Sequence, residues 1–313
     1  MAFALEYNEN MHPVGRWFYS DDPFKYQRGN NPIDMNRRFR VTNINVGDID
    51  SEINSTNLRG RAGSIYNGKS RRQRKIELSF STWSRDFYSL QLLRDFIQHI
   101  FDTEEPYYFY EDWRPLEERH LDVAINSRKF LVLTENVDIS VVGHKKLKVK
   151  VTMTTVQLPY AISTGSTSDI IKAGGIKFST GLFGWWEWLN FDDQLYTYKF
   201  QMYNGVTYKV FNPSTKKVKH YEACMHVKLT GITGATDGNI KLRNITNGSY
   251  MQLKVPITSS TVIEQKDSIL YRNGLNELAS SELKTFIELD PGWNDIVLTG
   301  CNATVEYLFN FYF

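Results

Sequence analysis

Residues 86–101 read DFYSLQLLRDFIQHIF, and this stretch decides the fold because it is the one strongly helical signal in the chain. Its apolar residues Phe87, Leu90, Leu93, Phe96, Ile97, Ile100 and Phe101 recur at spacings of three and four. That lays a single apolar stripe along about four turns of helix. Ser84 is the expected N-cap, its hydroxyl accepting an orphan N–H of the first turn. Just upstream, residues 74–80 (RKIELSF) alternate Ile76, Leu78 and Phe80 with Lys75, Glu77 and Ser79, the pattern of a strand with one dry face. Downstream comes the aromatic run Tyr107, Tyr108, Phe109 and Tyr110. The pattern predicts one helix packed on a sheet.

Almost everything else reads as β. A first strand is expected at 39–46, followed by a long excursion over 48–70, with Gly60, Gly63 and the Asn67-Gly68 pair supplying positive-φ turn positions. Residues 121–125, 129–133, 136–142 and 147–157 read as consecutive short strands. In the last of these Leu147, Val149, Val151 and Met153 alternate with Lys148, Lys150 and Thr152, as in a sheet with one wet face.

At 313 residues the chain is long for one core and suits two domains. The texture changes at Pro159-Tyr160 and the Ser/Thr/Gly stretch 163–168. The expected division is an N-terminal domain at 1–163, a linker arm at 164–195 holding Trp185, Trp186 and Trp188, and a β-sandwich at 196–313. Within the last, residues 196–211 predict a hairpin: Tyr198, Phe200 and Met202, then Val206, Tyr208 and Val210, flank Asn204-Gly205, a pair suited to a type I′ turn. Further Asn-Gly pairs stand at 247–248 and 273–274. The closing stretch 303–313, with Val305, Tyr307, Phe309, Phe311 and Phe313, is too apolar to dangle and is expected to lie buried against a sheet.

Aromatics at 14% and hydrophobics at 41% give ample core volume, and a net charge of +2 points to no acidic or basic partner for the molecule as a whole. Met1 to Asn10 carries Glu6 and Glu9 and no basic start with an apolar run, so no signal peptide is expected. No apolar stretch reaches about 18 residues, so no membrane span is expected, and synthesis and assembly in a cytoplasm follow. Cys224 and Cys301 are too few for a disulfide framework; they read as two free thiols or as one bridge in the C-terminal half.

Charge is concentrated in one place. Arg59, Arg61, Lys69, Arg71, Arg72, Arg74 and Lys75 occur with no acidic residue among them, and Asp102, Glu104, Glu105, Glu111, Asp112, Glu117 and Glu118 follow. The basic cluster fits a subunit or partner contact, a solvated loop, or a nucleic-acid contact. Trp293 and the three linker tryptophans fit sugar stacking or packing, so a carbohydrate-binding module of a host-adhesion device is the alternative function. His220, Cys224 and His226 lack a fourth ligand and paired spacing, and no metal or cofactor is expected. Asp21-Asp22 and Asp192-Asp193 are adjacent carboxylates in turn-like contexts, not an acid and nucleophile pair. There is no nucleophile elbow and no phosphate-cradling loop, so no enzyme and no catalytic residue is expected.

Residues 40–46, the loop at 59–70 with Gly60, Gly63 and Tyr66, the strand at 74–80 and the helix at 86–101 together resemble the N-terminal domain of siphophage distal tail (Dit) proteins. Residues 148–155, followed by Gln157-Leu158-Pro159-Tyr160, are similar to the close of that domain. Later, the strand at 248–254, the run Leu289-Asp290-Pro291-Gly292-Trp293-Asn294-Asp295-Ile296, Gly300 and the aromatic last strand resemble the family's galectin-like second domain. Pro291-Gly292-Trp293-Asn294 is the most distinctive short match. The resemblance implies a mainly β protein: a β-sandwich-like N-terminal domain with one α-helix, then a galectin-like β-sandwich whose last strand either stays with that sandwich or returns to the first domain. It also implies a homohexameric ring at the distal end of a phage tail, with a lumen for DNA in transit. Its partners would be the major tail tube protein, the tail-associated hub or lysin protein, and receptor-binding or baseplate proteins. The family's galectin-like domain often has no sugar-binding role. The 169–195 stretch departs from the shorter inter-domain connection the resemblance implies.

Overall fold

The structure, a computed structural model, describes residues 2–6, 16–18, 23–28, 31–60, 62–84, 86, 89–102, 104–112, 128–177, 182–183, 189, 196–222, 225–235, 238–277 and 285–313. It divides into two units, Met1–Leu121 with Arg128–Ala161, and Asp122–Ser127 with Ile162–Phe313.

Unit 1 holds β1 (Ala2–Glu6), β2 (Arg16–Phe18), β3 (Pro23–Arg28), β4 (Asn31–Asn57), β5 (Ser64–Trp83), α1 (Ser89–Phe101), β6 (Tyr107–Asp112), β7 (Arg128–Val142) and β8 (Lys146–Thr155). The strands lie in the order β2-β1-β6-β7-β8-β5-β4-β3, every neighbouring pair antiparallel. The alternation of β5 and β8 becomes a core where they pair: Ile76 lies opposite Met153, Leu78 opposite Val151 and Phe80 opposite Val149. All six are at most 2% exposed. Onto this face α1 lays Leu90, Leu93, Ile97, Ile100 and Phe101, with the Phe101 and Phe80 rings 6.0 Å apart. Each such burial contributes about 1.5–3 kcal/mol.

The cap of α1 differs from expectation. The Asp86 carboxylate accepts the Ser89 N–H at 2.7 Å while Ser89 Oγ accepts the Asp86 N–H at 3.4 Å, a reciprocal cap. Ser84 instead donates its hydroxyl to the Asp86 carbonyl at 2.7 Å. The stretches 129–133 and 136–142 form one strand, β7, with a register shift between Thr134 and Asn136. The expected strand at 121–125 and the residue Phe87 lie outside the described residues.

The larger correction concerns 48–70. β4 runs on to Asn57 and β5 starts at Ser64, so most of the expected excursion is a two-stranded ribbon, paired from Ile49–Arg74 out to Asn57–Ser64. β8 pairs with β5 only from Lys75 to Trp83, and β3 pairs with β4 only over Asn31–Arg38. Beyond those limits the ribbon has two unpaired edges among the described residues and extends about 25 Å at ~3.3 Å per residue.

Unit 2 begins with β9 (Ile162–Ser166) and α2 (Thr167–Ala173), continues with β10 (Lys199–Met202), β11 (Thr207–Asn212), β12 (His226–Thr233), β13 (Asn239–Asn244), β14 (Tyr250–Lys254), β15 (Ile263–Lys266), β16 (Ile269–Arg272) and β17 (Leu275–Asn276), and closes with β18 (Gly292–Thr299), β19 (Asn302–Leu308) and β20 (Asn310–Tyr312). One sheet has the order β10-β19-β12-β15-β16-β17, the other β11-β18-β13-β14. Each buries one face: Val227, Leu229, Val305 and Tyr307 from the first, Ile240, Leu242, Ile296 and Leu298 from the second.

The expected 196–211 hairpin does not form. β10 pairs with β19 and β11 with β18, so Asn204-Gly205 joins two different sheets. Gly205 has φ 76° but Asn204 does not have positive φ, and Val206 N–H donates to the Tyr203 carbonyl. That is a type II pattern, which splays strands where a type I′ turn would keep them paired. The type I′ pattern occurs instead at Asn273-Gly274, with φ 51° and 79°, between β16 and β17.

The stretch 163–168 is structured. Asp169 accepts both the N–H and the hydroxyl of Ser166 at 2.8 Å, starting the short α2 inside what reads from sequence as a linker. Ser163, Thr167 and Ser214 offer their hydroxyl oxygens to the backbone N–H groups of Phe311, Phe309 and Tyr312. The last strand, β20, thus pairs with β9 in unit 2, with Phe309, Phe311 and Phe313 buried. Trp185, Trp186 and Trp188 lie outside the described residues.

Candidate functional site

The ribbon sorts the basic cluster into two sets. Directly opposed residues of an antiparallel pair share a face, and alternate residues along a strand do too. Ser51–Arg71, Ile53–Lys69 and Ser55–Tyr66 are such pairs, so Ile53, Tyr66, Lys69 and Arg71 stand on one face. Ile53 and Tyr66 are 64% and 65% exposed, and Leu58 at the ribbon's turn is 48% exposed. Neither Lys69 nor Arg59 has a carboxylate partner among the described residues. Arg71 reaches Tyr160, with Nη1 3.4 Å from the phenol oxygen and the guanidinium 5.9 Å from the ring centre.

The other set is engaged within the unit. Arg72 points to the opposite face and ion-pairs with Glu52, an exposed contact worth at most about 1 kcal/mol. Arg74 donates its backbone N–H to Thr155 Oγ1 at 2.9 Å and holds its guanidinium 5.9 Å from the Phe130 ring. Lys75 Nζ lies 3.6 Å from Glu135. Arg61 lies outside the described residues. A cleft of about 900 Å³ at the ribbon's base is lined by Asp48, Asp50, Lys69, Arg71, Arg74 and Lys75, a mixed-charge surface. Of the acidic stretch, Asp102, Glu104 and Glu105 are exposed just after α1, and Glu117 and Glu118 lie outside the described residues. Sequence reasoning missed Ile53 and Leu58; isolated apolar residues in a polar run give no periodic signal.

In unit 2, Trp293 is 43% exposed and lies against Tyr196 at 5.9 Å and 14° and Phe211 at 4.9 Å. Its neighbour Asn294 is fully buried and explains the distinctive motif. Its amide donates to the Asp290 carbonyl at 2.8 Å and the Gly292 carbonyl at 3.0 Å, while its oxygen accepts the Asp290 N–H and the Asn244 amide. The motif is a stapled turn that presents the tryptophan.

The other candidates do not converge. His220 Nδ1 is 2.9 Å from Glu288, whereas His226 Nε2 is 3.7 Å from Glu264. Burial holds the His226 pKa below the ordinary histidine value. Burial also tends to lower the Lys217 pKa, but Glu288 and Asp290 outweigh it and hold that amine above the usual lysine value. Cys301 is a buried free thiol whose pKa burial pushes up to about 11. Cys224, Asp21-Asp22 and Asp192-Asp193 lie outside the described residues. Among the described residues no three ligating side chains gather as a metal site, and no helix is long and apolar enough to cross a membrane.

No protein-family model and no curated protein matches the chain. Among solved structures it is similar to the SPP1 Dit (gp 19.1) protein, a paradigm of hub adsorption apparatus in Gram-positive infecting phages. The two align over 100% of both chains with a TM-score of 0.60 at 10% identity. Structures of the phage p2 baseplate in its activated conformation, with Sr and with Ca, align over 99% of this chain and 97% of theirs at 10% identity, with a TM-score of 0.40. At such identity a likeness shows the fold alone, and the mainly β fold of this chain is similar to that of the SPP1 Dit protein over its full length.

Proposed function

We propose that the protein is a structural component of a phage tail hub, six copies closing side by side into a ring at the distal end of the tail. The observation that carries this reading is the full-length likeness to SPP1 Dit. A head-to-tail ring needs two different, complementary surfaces on each copy. The ribbon face with Ile53, Tyr66, Lys69 and Arg71 supplies one, and the exposed Asp102 and Glu104 after α1 supply chemistry to match it. The ring links the major tail tube protein to the tail-associated hub or lysin protein and, through the C-terminal half, to receptor-binding or baseplate proteins. Its lumen passes DNA. It acts by binding and carries out no reaction; it is assembled in the host bacterial cytoplasm and resides in the virion.

The interface is tested by replacing Lys69 and Arg71 with Glu while leaving the internally paired Arg72 intact. Light scattering of the purified full chain then shifts from hexamer to monomer with an unchanged circular dichroism spectrum. A variant that stays hexameric removes the ribbon from the interface.

A further inference from the structure

The outer face of the four-stranded sheet in unit 2 is both cationic and aromatic. The register places Lys209 beside Asp295, Arg243 beside Val297 and Tyr250, and Phe211 beside Trp293, all on the side away from the buried Ile296 and Leu298. Asp295 is the single carboxylate on that face of these four strands. Lys209, Lys241 and Arg243 have no carboxylate partner among the described residues; Lys241 lies 4.1 Å from the Tyr250 ring centre. With Lys209, Lys241 and Arg243 set against the one acid Asp295, the sheet face carries a net positive charge and is complementary to an anionic ligand.

Trp293 selects the kind of anion. Its ring is fixed by Tyr196 and Phe211 and by the stapled turn beneath it, yet remains 43% exposed. A rigid, half-exposed indole offers a surface to the apolar C–H face of a pyranose at little entropic cost. Arg243 pairs with Val297, four residues along β18 from Trp293 and one strand across, so the cation and the ring are about 14 Å apart at ~3.4 Å per residue. An extended polymer spans that distance and a single small ion does not. Single-stranded nucleic acid needs a succession of free rings, whereas the Tyr250 face is occupied by Lys241.

We propose that this sheet face binds an anionic polysaccharide, one sugar ring stacked on Trp293 and the acidic groups of the chain on Lys209, Lys241 and Arg243. This binding does not depend on ring formation. It is tested with the full chain by affinity electrophoresis in native gels containing polygalacturonate, hyaluronate or a poly(glycerol phosphate) glycopolymer, with neutral dextran as reference. Retardation by at least one anionic polymer and not by dextran is expected. Trp293→Ala weakens it about tenfold or more, Trp293→Phe retains it, and the double change of the half-buried Lys241→Gln with the exposed Arg243→Gln weakens it without touching the Trp293 cluster. No retardation in any of the three gels, retardation unaffected by Trp293→Ala, or equally tight binding of poly(dT) overturns the proposal.

Discussion

β4 and β5 are one pair of strands living in two environments. At the root, Ile76, Leu78 and Phe80 point into a core under α1 and are at most 2% exposed. At the tip the same pairing continues, yet Ile53 and Tyr66 are about two-thirds exposed and polar residues occupy both faces. The backbone ladder therefore persists where there is nothing to bury, although isolated hairpins are marginal in water. Stability resides at the root, and the tip is free to carry recognition chemistry. The same division holds for charge: Arg74 and Lys75 near the root have intramolecular partners, whereas Lys69 and Arg59 have no carboxylate partner among the described residues.

This contrast can be broken in four places. Leu78→Ala empties a fully buried site and lowers stability by about 2–5 kcal/mol in urea unfolding; a loss under about 1 kcal/mol contradicts the root as the core. Hydrogen exchange of the amides of Ile76, Leu78 and Phe80 is at least about a hundredfold slower than that of residues 52–56, because tip pairs open without exposing a core; equal protection rejects the division. Asp86→Ala removes the cap of the helix that covers the root and costs about 1 kcal/mol, whereas the same change at Ser84 tests the hydroxyl's lesser role as donor to the Asp86 carbonyl. Tyr66→Ser at the tip alters stability by less than about 0.5 kcal/mol, and a larger loss means that the ring packs within the unit after all.

The sequence was legible where burial imposed a period. The stripe of α1 and the alternation of β5 and β8 could be read because each has one dry face. The ribbon could not, since with both faces wet its 48–57 strand carries no period-2 signal. Asn204-Gly205 misled because the dipeptide announces a turn without saying whether the flanking strands stay together; distant β18 and β19 decide that. The Ser166–Asp169 spacing was a usable start signal for α2, hidden in a helix of only seven residues. For the candidate site, the basic cluster was visible as charge, but its division was not. Glu52, Glu135, Tyr160 and Phe130, which engage Arg71, Arg72, Arg74 and Lys75, come from other strands and segments. The Pro291–Asn294 run was recognisable as a motif, while the buried amide of Asn294 that makes it a turn required the fold.

The central claim is that these chains act by closing on one another through a wet, cationic ribbon. Negative-stain imaging of the purified full chain at high concentration tests it most directly. Closed six-membered annuli with an open centre, lost on Lys69→Glu with Arg71→Glu, are the predicted result. A field of single particles at every concentration, or annuli indifferent to that double change, would contradict it.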